Sequence, residues 1–465
     1  MPRHRLLAAR LALGTLAAFV ACTLPARADT PPRLDLDRAW QAALANDAVL
    51  RAARAGAESG REAVPLARAQ LLPQVGISWT RNKNELETDT RVAQVPVHTR
   101  QDYYSSTRTL TIRQPLIQPV QWATLRQAGA QVVEAEALLV QTRQQLATRL
   151  VEAYFELLLA DEQIMLIQAQ TEAHTSQLDA ARKSFAAGSG IRTEIDEAQA
   201  RLDLDAAQAL EARQQSQLAR RRLQQLVAEP FSSVARLDPE RLRRAPPEAG
   251  ELDGWLALAE ENSPEMQALR ARLEAASQEL AKARARHLPT LDAVAQANRG
   301  VSDNINRIDT RSNQASIGLQ FNLALYSGGA VDAAVRQARA ELTRAEENLA
   351  VQRLDLSLRL HREHRGVTEG LLRIKALEQA VASAAQLSVS SRRAYQAGAR
   401  TTLDVLNAEQ QLHAARRDLA QARYATLAAH VRLQVLAGAF DDDSLARLNA
   451  LLESGVFPAT SPAIR

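Results

Sequence analysis

His361 and His364 lie three residues apart in a helix-like stretch, a spacing that could bring two imidazoles to one metal ion. No third or fourth ligand accompanies them, so the pair reads as part of a solvated helix face. Thr401 and Asp404 have the spacing of a capping box, in which a hydroxyl and a carboxylate satisfy the first amides of a helix. Gly188 and Gly398 each follow a long apolar-periodic stretch and suit the turn that ends a helix. Glu134, Glu136 and the many Glu/Arg pairs read as surface charge. There is no phosphate-cradling GxxxxGK[ST] loop, no G-x-S-x-G nucleophile elbow and no H-E-x-x-H zinc helix. The chemistry on offer is that of caps, turns and ion pairs. An enzyme has no site to rest on, and neither a cofactor nor a metal is implied.

The start of the chain explains where these residues work. Arg3, Arg5 and Arg10 precede an apolar run over residues 11–20, and Ala26-Arg27-Ala28 is an A-x-A cleavage site. Residues 1–28 therefore read as an export signal, with an apolar run too short to span a bilayer. Cys22 is the only cysteine; Phe19 stands where a lipidation signal usually has Leu, so Cys22 is expected to leave with the signal. The exported part then has no thiol to form a disulfide or bind a metal. The signal carries four of the arginines and no acid, so the formal charge of +4 falls to zero after cleavage. No overall field draws the protein to nucleic acid.

The elements that hold these residues come in two copies. ARAQLLP at 67–73 returns as ARARHLP at 283–289, and GSGIRTEIDEAQARL at 188–202 returns as GARTTLDVLNAEQQL at 398–412. Residues 120–187 contain no proline and one glycine, with apolar positions at helical spacing such as Leu146, Leu150, Tyr154 and Leu157. At 1.5 Å per residue such a helix is a rod of about 100 Å, and residues 329–397 match it. Shorter helices are expected near 193–227 and 402–436, and near 35–71 and 252–287. Two short helices stacked end to end equal one long helix in rise. Leu412, Ala415, Leu419 and Ala422 give a heptad-like seam of small residues for coiled-coil packing.

Pro73 and Pro289 stop the first helix of each copy, and period-two alternation follows. Val75, Ile77 and Trp79 alternate with Gly76, Ser78 and Thr80; Ile317, Leu319 and Phe321 alternate with Ser316, Gly318 and Gln320. Leu110 and Ile112 alternate likewise, and residues 290–299 form a weaker fourth strand. Runs of about ten residues can cross a bilayer at a tilt. Polar loops are expected over 82–105 and 299–314. Four strands cannot close a barrel alone, so several chains would have to pool them.

In HLPTLD (287–292), LYSGG (325–329), AYQAGARTTLDVLNA (394–408) and AQARYATLAAHVRLQVLAG (420–438), the chain resembles the TolC family of outer-membrane channels. The likeness is stronger to the type I secretion branch than to the lipidated efflux branch. The resemblance implies an α+β homotrimer: a twelve-stranded outer-membrane β-barrel, four strands per chain, continued by a long α-helical periplasmic barrel. The domains are then a signal (1–28), a first repeat (29–228), an equatorial linker (229–251), a second repeat (252–437) and a C-terminal equatorial segment and tail (438–465). Function would be that of a passive exit duct. Its partners would be a periplasmic adaptor, an inner-membrane ABC or other transporter, outer-membrane lipid and the transported cargo.

The resemblance also assigns roles at the tip far from the strands. Tyr395 and Arg400 match the family's gate-bond residues, and Thr193 and Glu194 match their partners, with Glu194 replacing an aspartate. Asp404 and Asn407 match two acidic rings that line the pore; Asn407 is a departure and should weaken cation selectivity. The alternatives are the outer-membrane part of a multidrug efflux pump and, from another class, a periplasmic coiled-coil adaptor or scaffold. The adaptor would not need the strands.

Overall fold

The computed structural model describes residues 33–92, 94–303 and 309–453. The expected signal, Cys22 and the C-terminal tail lie outside the described residues. In chain order the elements are α1 (Leu36–Asn46), α2 (Ala48–Arg61), α3 (Ala63–Ala69), β1 (Gln74–Val92), β2 (Val95–Ile117), α4 (Pro119–Ala186) and α5 (Arg192–Val227). Then come α6 (Pro239–Arg244), α7 (Leu252–Asn262), α8 (Pro264–Ala285), β3 (Thr290–Asp303), β4 (Asp309–Asn322), α9 (Ala330–Gln396), α10 (Thr402–Leu436) and α11 (Asp442–Ala450). The long helices α4 and α9 have 68 and 67 residues, which is about 100 Å each.

The first helix of each half is broken where one run was expected. At Asp47 the side chain accepts from the Leu50 amide at 2.7 Å and starts α2, while Arg149 grips the same carboxylate at 3.2 Å. Ser263 precedes Pro264, whose ring disfavours helical backbone at the preceding residue, so α7 ends there. These breaks let the chain bend without losing an amide partner.

The sheet runs β1-β2-β3-β4, antiparallel throughout, and among the described residues β1 and β4 have no strand partner on their outer sides. Directly opposed residues share a face. One face therefore holds the row Val75, Ile112, Ala295, Ile317 and the row Ile77, Leu110, Ala297, Ala315. The other holds Gly76, Thr111, Gln296, Ser316 and Ser78, Thr109, Asn298, Gln314. Ile77 and Ile317 are 81% and 87% exposed, far from what a soluble chain leaves bare.

The strands outrun the sequence reading. Residues 82–105, expected as a loop, continue β1 and β2 to the Val92↔Val95 pair. Asp89 and His98 pair at 2.6 Å, Asn84 donates to Ser105 at 2.8 Å and Arg100 pairs with Glu85. Polar side chains on both faces erased the period-two signal there, while backbone pairing carried the register onward.

The long helices pack side by side. Near the sheet α4 lies between α2/α3 and α8; toward the far tip it lies between α5 and α10, and α9 flanks both α8 and α10. Thus α8 and α10 occupy one groove in succession. The broad core sits midway. Trp40, Leu146, Leu150, Tyr154 and Leu157 pack with Phe231, Leu237, Leu242, Phe440 and Leu448, so the segments before α7 and after α10 wrap this level. Tyr154 Oη donates to the carbonyls of Leu34 (3.1 Å) and Ala235 (2.9 Å), which ties the wrap to α4. Leu34↔Val234 and Leu237↔Leu452 bridges complete it. Among the described residues no helix is long and apolar enough to cross a membrane.

Candidate functional site

The two turns at the tip have the same backbone. Gly188 and Gly398 have φ of 77° and 76°, left-handed values that a side chain would strain. Each glycine amide closes on a carbonyl three residues back, from Phe185 and Tyr395, at 3.0 and 2.9 Å. The turns convert two long helices into two hairpins, α4–α5 and α9–α10.

Within α9–α10 the side chains fasten the hairpin to itself. Thr401 and Asp404 form a full capping box: Asp404 Oδ2 accepts from the Thr401 amide at 3.0 Å and from Thr401 Oγ1 at 2.8 Å. The Asp404 amide in turn donates to Thr401 Oγ1 at 3.3 Å. The Thr401 amide and hydroxyl hold the Asp404 carboxyl below the ordinary range, so it keeps its charge at neutral pH. Arg400 donates to Ser391 Oγ at 3.1 Å, and Arg392 pairs with the buried Glu409.

The α4–α5 hairpin is held deeper. His174 Nδ1 and Asp205 Oδ2 are 2.6 Å apart, both buried, and Gln170 donates to the other Asp205 oxygen at 2.6 Å. Arg182 donates to Gln199 at 3.3 Å. Its first turn lacks a side-chain cap, because Ile191 stands at the N-cap position.

Between the hairpins the polar ties near the tip are few. Thr402 Oγ1 donates to Glu194 Oε1 at 3.0 Å, and Arg201 donates to Asn407 Oδ1 at 3.2 Å and Gln410 Oε1 at 2.6 Å. Above them a cavity of about 380 Å³ separates α4, α5 and α10, lined by Ile167, Gln170, Gln208, Gln410 and His413 among others. Burial lowers the His413 imidazole from its ordinary value, with Arg416 adding to the effect. Closer to the mid-level core the interface tightens. Tyr424 donates to Glu162 at 3.2 Å and its ring lies tilted against Phe155 with centroids 5.5 Å apart, and Arg432 pairs with Glu152 at 2.8 Å.

Against the sequence expectations, Glu194 does meet the second hairpin, through Thr402. Arg400 turns to Ser391 within its own hairpin, while neither Tyr395 nor Thr193 bonds to the other's hairpin within one chain. Asn407 is engaged by Arg201. Thr402 and Arg201 were missed, since each needs a partner more than two hundred residues away. A cheap signal existed for Arg201: it sits one helical turn beyond Glu197 on the side chain ladder that follows Glu194. Away from the tip, His364 bonds the Gly250 carbonyl at 3.0 Å and His361 is exposed. Among the described residues no three potential metal ligands converge.

The comparisons agree with this architecture. A family model described as outer membrane efflux protein matches residues 39–229 and 255–439. The chain is similar to the proteases secretion protein PrtF of Dickeya chrysanthemi, 32% identical over 90% of either chain. It is equally similar, at 32%, to the alkaline protease secretion protein AprF of Pseudomonas aeruginosa, over 90% of this chain and 88% of that one. Among solved structures, the outer membrane protein VceC of Vibrio cholerae shares the fold, with a TM-score of 0.73 at 22% identity over 87% of this chain and 96% of its own. The chain belongs to the outer membrane efflux protein family, the TolC-type channels of the Gram-negative outer membrane.

Proposed function

We propose that three copies close into one conduit, the outer-membrane exit duct of a type I secretion system that exports protein. The observation that carries this is the open-edged layer: a four-stranded sheet with one bare apolar face, continuous with helices about 100 Å long. In lipid, unpaired strand edges are untenable, so β4 of one copy would pair with β1 of the next. Three copies give twelve strands. Exposed Leu354, Leu358 and Leu372 on α9, and Leu204, Leu210 and Leu218 on α5, leave apolar helix edges for the same contact. The apolar sheet face would meet lipid and the Thr/Ser/Gln/Asn face would line the lumen. The element order of 36–227 returns in 252–436, so the trimer would approximate six units around the pore.

The wrap of 229–251 and 438–453 would form an equatorial belt, and the tip would be the periplasmic gate. Energy would come from an inner-membrane ABC transporter, coupled through a periplasmic adaptor that engages the tip. Opening would swing α9–α10 away from α4–α5 by breaking Thr402–Glu194 and the Arg201 bonds. Tyr395, Arg400 and Thr193 would act toward the neighbouring copy, where their free bonding capacity can be met. Three Asp404 carboxylates would make an anionic ring that favours cations, and the neutral Asn407 leaves it single.

Extraction from outer membranes in detergent should yield a heat-modifiable trimer that conducts in planar bilayers. The Tyr395→Phe/Arg400→Ser variant should conduct more than the parent. A protein that stays soluble without detergent, as a monomer, would contradict the channel reading.

A further inference from the structure

We infer that the lipid-facing side of the sheet carries, at its hairpin end, a binding belt for the phosphates of outer-leaflet glycolipid. The inference rests on the channel reading above. The sheet register puts Trp79, Arg108, Arg299 and Asn313 in one row, and Arg81, Ser106, Val301 and Arg311 in the next. Both rows continue the apolar face, directly beyond Ile77, Leu110 and Ala297, and their four arginines are exposed. The hairpin turns lie opposite the helices, so these rows fall at the outer boundary of the apolar band.

Two things set the four arginines apart. Arg108 and Arg299 are directly opposed cross-strand neighbours, a like-charge pairing that costs stability unless an anion sits between them. Nor does the chain supply that anion. Arg108, Arg299 and Arg311 pair with no carboxylate among the described residues, and Arg81 lies over the Tyr104 ring at 5.4 Å. Lys83 extends the unneutralised set into the next row of the same face, beside Tyr104, and only beyond it does the pattern change: Arg100 is matched by Glu85 and Glu87, and Asp89 by His98. A snorkelling arginine needs only water. A cluster at one depth, unneutralised and flanked by Trp79, is what a planar guanidinium set needs to clasp phosphate in bidentate pairs. The complementary partner at that depth is a phosphorylated glycolipid whose acyl chains lie along Ile77, Leu110 and their neighbours.

The test uses the full trimer, purified from outer membranes, with bound lipid A phosphate counted per chain. We expect the Arg81→Gln/Arg108→Gln/Arg299→Gln/Arg311→Gln variant to retain about tenfold less than the parent, and the all-lysine counterpart to retain most of it. Dephosphorylated lipid A should bind the parent as weakly as bisphosphorylated lipid A binds the glutamine variant. Equal retention by parent and glutamine variant would overturn the belt. Complete displacement by inorganic phosphate would also overturn the lipid assignment, in favour of a soluble anion. The parent's heat-modifiable trimer and bilayer conductance are read on the same preparations. Their failure would count against the channel reading, whereas unchanged glycolipid on a conducting trimer counts against the belt alone.

Discussion

The turn between α4 and α5 and the turn between α9 and α10 share a φ near +77° and the same amide closure, yet their surroundings differ. The α9–α10 turn is fastened at its very end, by the Thr401–Asp404 box and the Arg400–Ser391 bond. The α4–α5 turn has no cap at Ile191, and its anchor, the His174–Asp205 pair, is buried further up the hairpin. One hairpin can therefore move whole, tip included. The other keeps a firm shaft and a first turn of α5 that leans on its neighbour through Glu194. A gate at this tip, as proposed above, would open without melting either hairpin, provided the ties between them are weak. Arg201–Asn407 and Arg201–Gln410 are exposed bonds, and Thr402–Glu194 joins a buried hydroxyl to a half-buried carboxylate; single bonds of these kinds contribute about 1–2 kcal/mol each.

The largest effect should come from the buried anchor. Asp205→Ala strips His174 and Gln170 of their shared acceptor, and should cost about 3 kcal/mol as α5 loosens along its length. Chemical denaturation of the trimer would read the loss; a change under 0.5 kcal/mol would mean the pair fastens nothing. Next is the joint between hairpins. Thr402→Val with Arg201→Ala should raise single-channel conductance several-fold while stability moves by only about 1–2 kcal/mol. Large destabilisation with unchanged conductance would erase the distinction between joints within a hairpin and joints across hairpins.

The two caps give a smaller, reciprocal pair. Thr401→Ala should lower the opening free energy of the first turn of α10 by about 1 kcal/mol, and Ile191→Asp should raise that of α5 by a similar amount. Amide hydrogen exchange at residues 192–196 and 402–406 would compare them; no change at either would show that the turns are held by other means.

The smallest is a pH effect at the cavity. Burial lowers the His413 imidazole, so the folded chain resists a proton that the unfolded chain accepts. The stabilisation is complete above about pH 6.5 and declines as pH falls below that ordinary value. His413→Gln should flatten the acid limb of a melting-temperature profile. A profile with the same acid slope in parent and variant would remove His413 from the account.

Much of this design was legible in residue order, for physical reasons that also explain the gaps. The long helices could be read because proline is absent and apolar positions keep helical spacing over nearly seventy residues. Strand positions near Ile77 and Ile317 could be read because one face is apolar and the other polar. The same logic failed at 82–105, where both faces are polar, and at Asp47, where a side chain replaced the helix amide partner that pattern alone assigns. At the tip the Thr401–Asp404 box was legible because it is local. Thr402–Glu194 and the Arg201 bonds were not, since distant registers decide them. The arginine rows were hidden for that reason too: Arg81, Arg108, Arg299 and Arg311 become one belt only when three strand registers are known.

Whether opening separates two intact hairpins at Glu194 and Thr402 can be read from a reversible tether. Glu194→Cys and Thr402→Cys, the two thiols of the exported chain, would be bridged by a short, reducible bis-thiol linker, and single-channel current recorded before and after reduction. A low, fixed conductance and blocked cargo export are expected while the tether holds, with gating and export returning on reduction. A tethered trimer that opens and exports as the untethered one does would contradict hairpin separation.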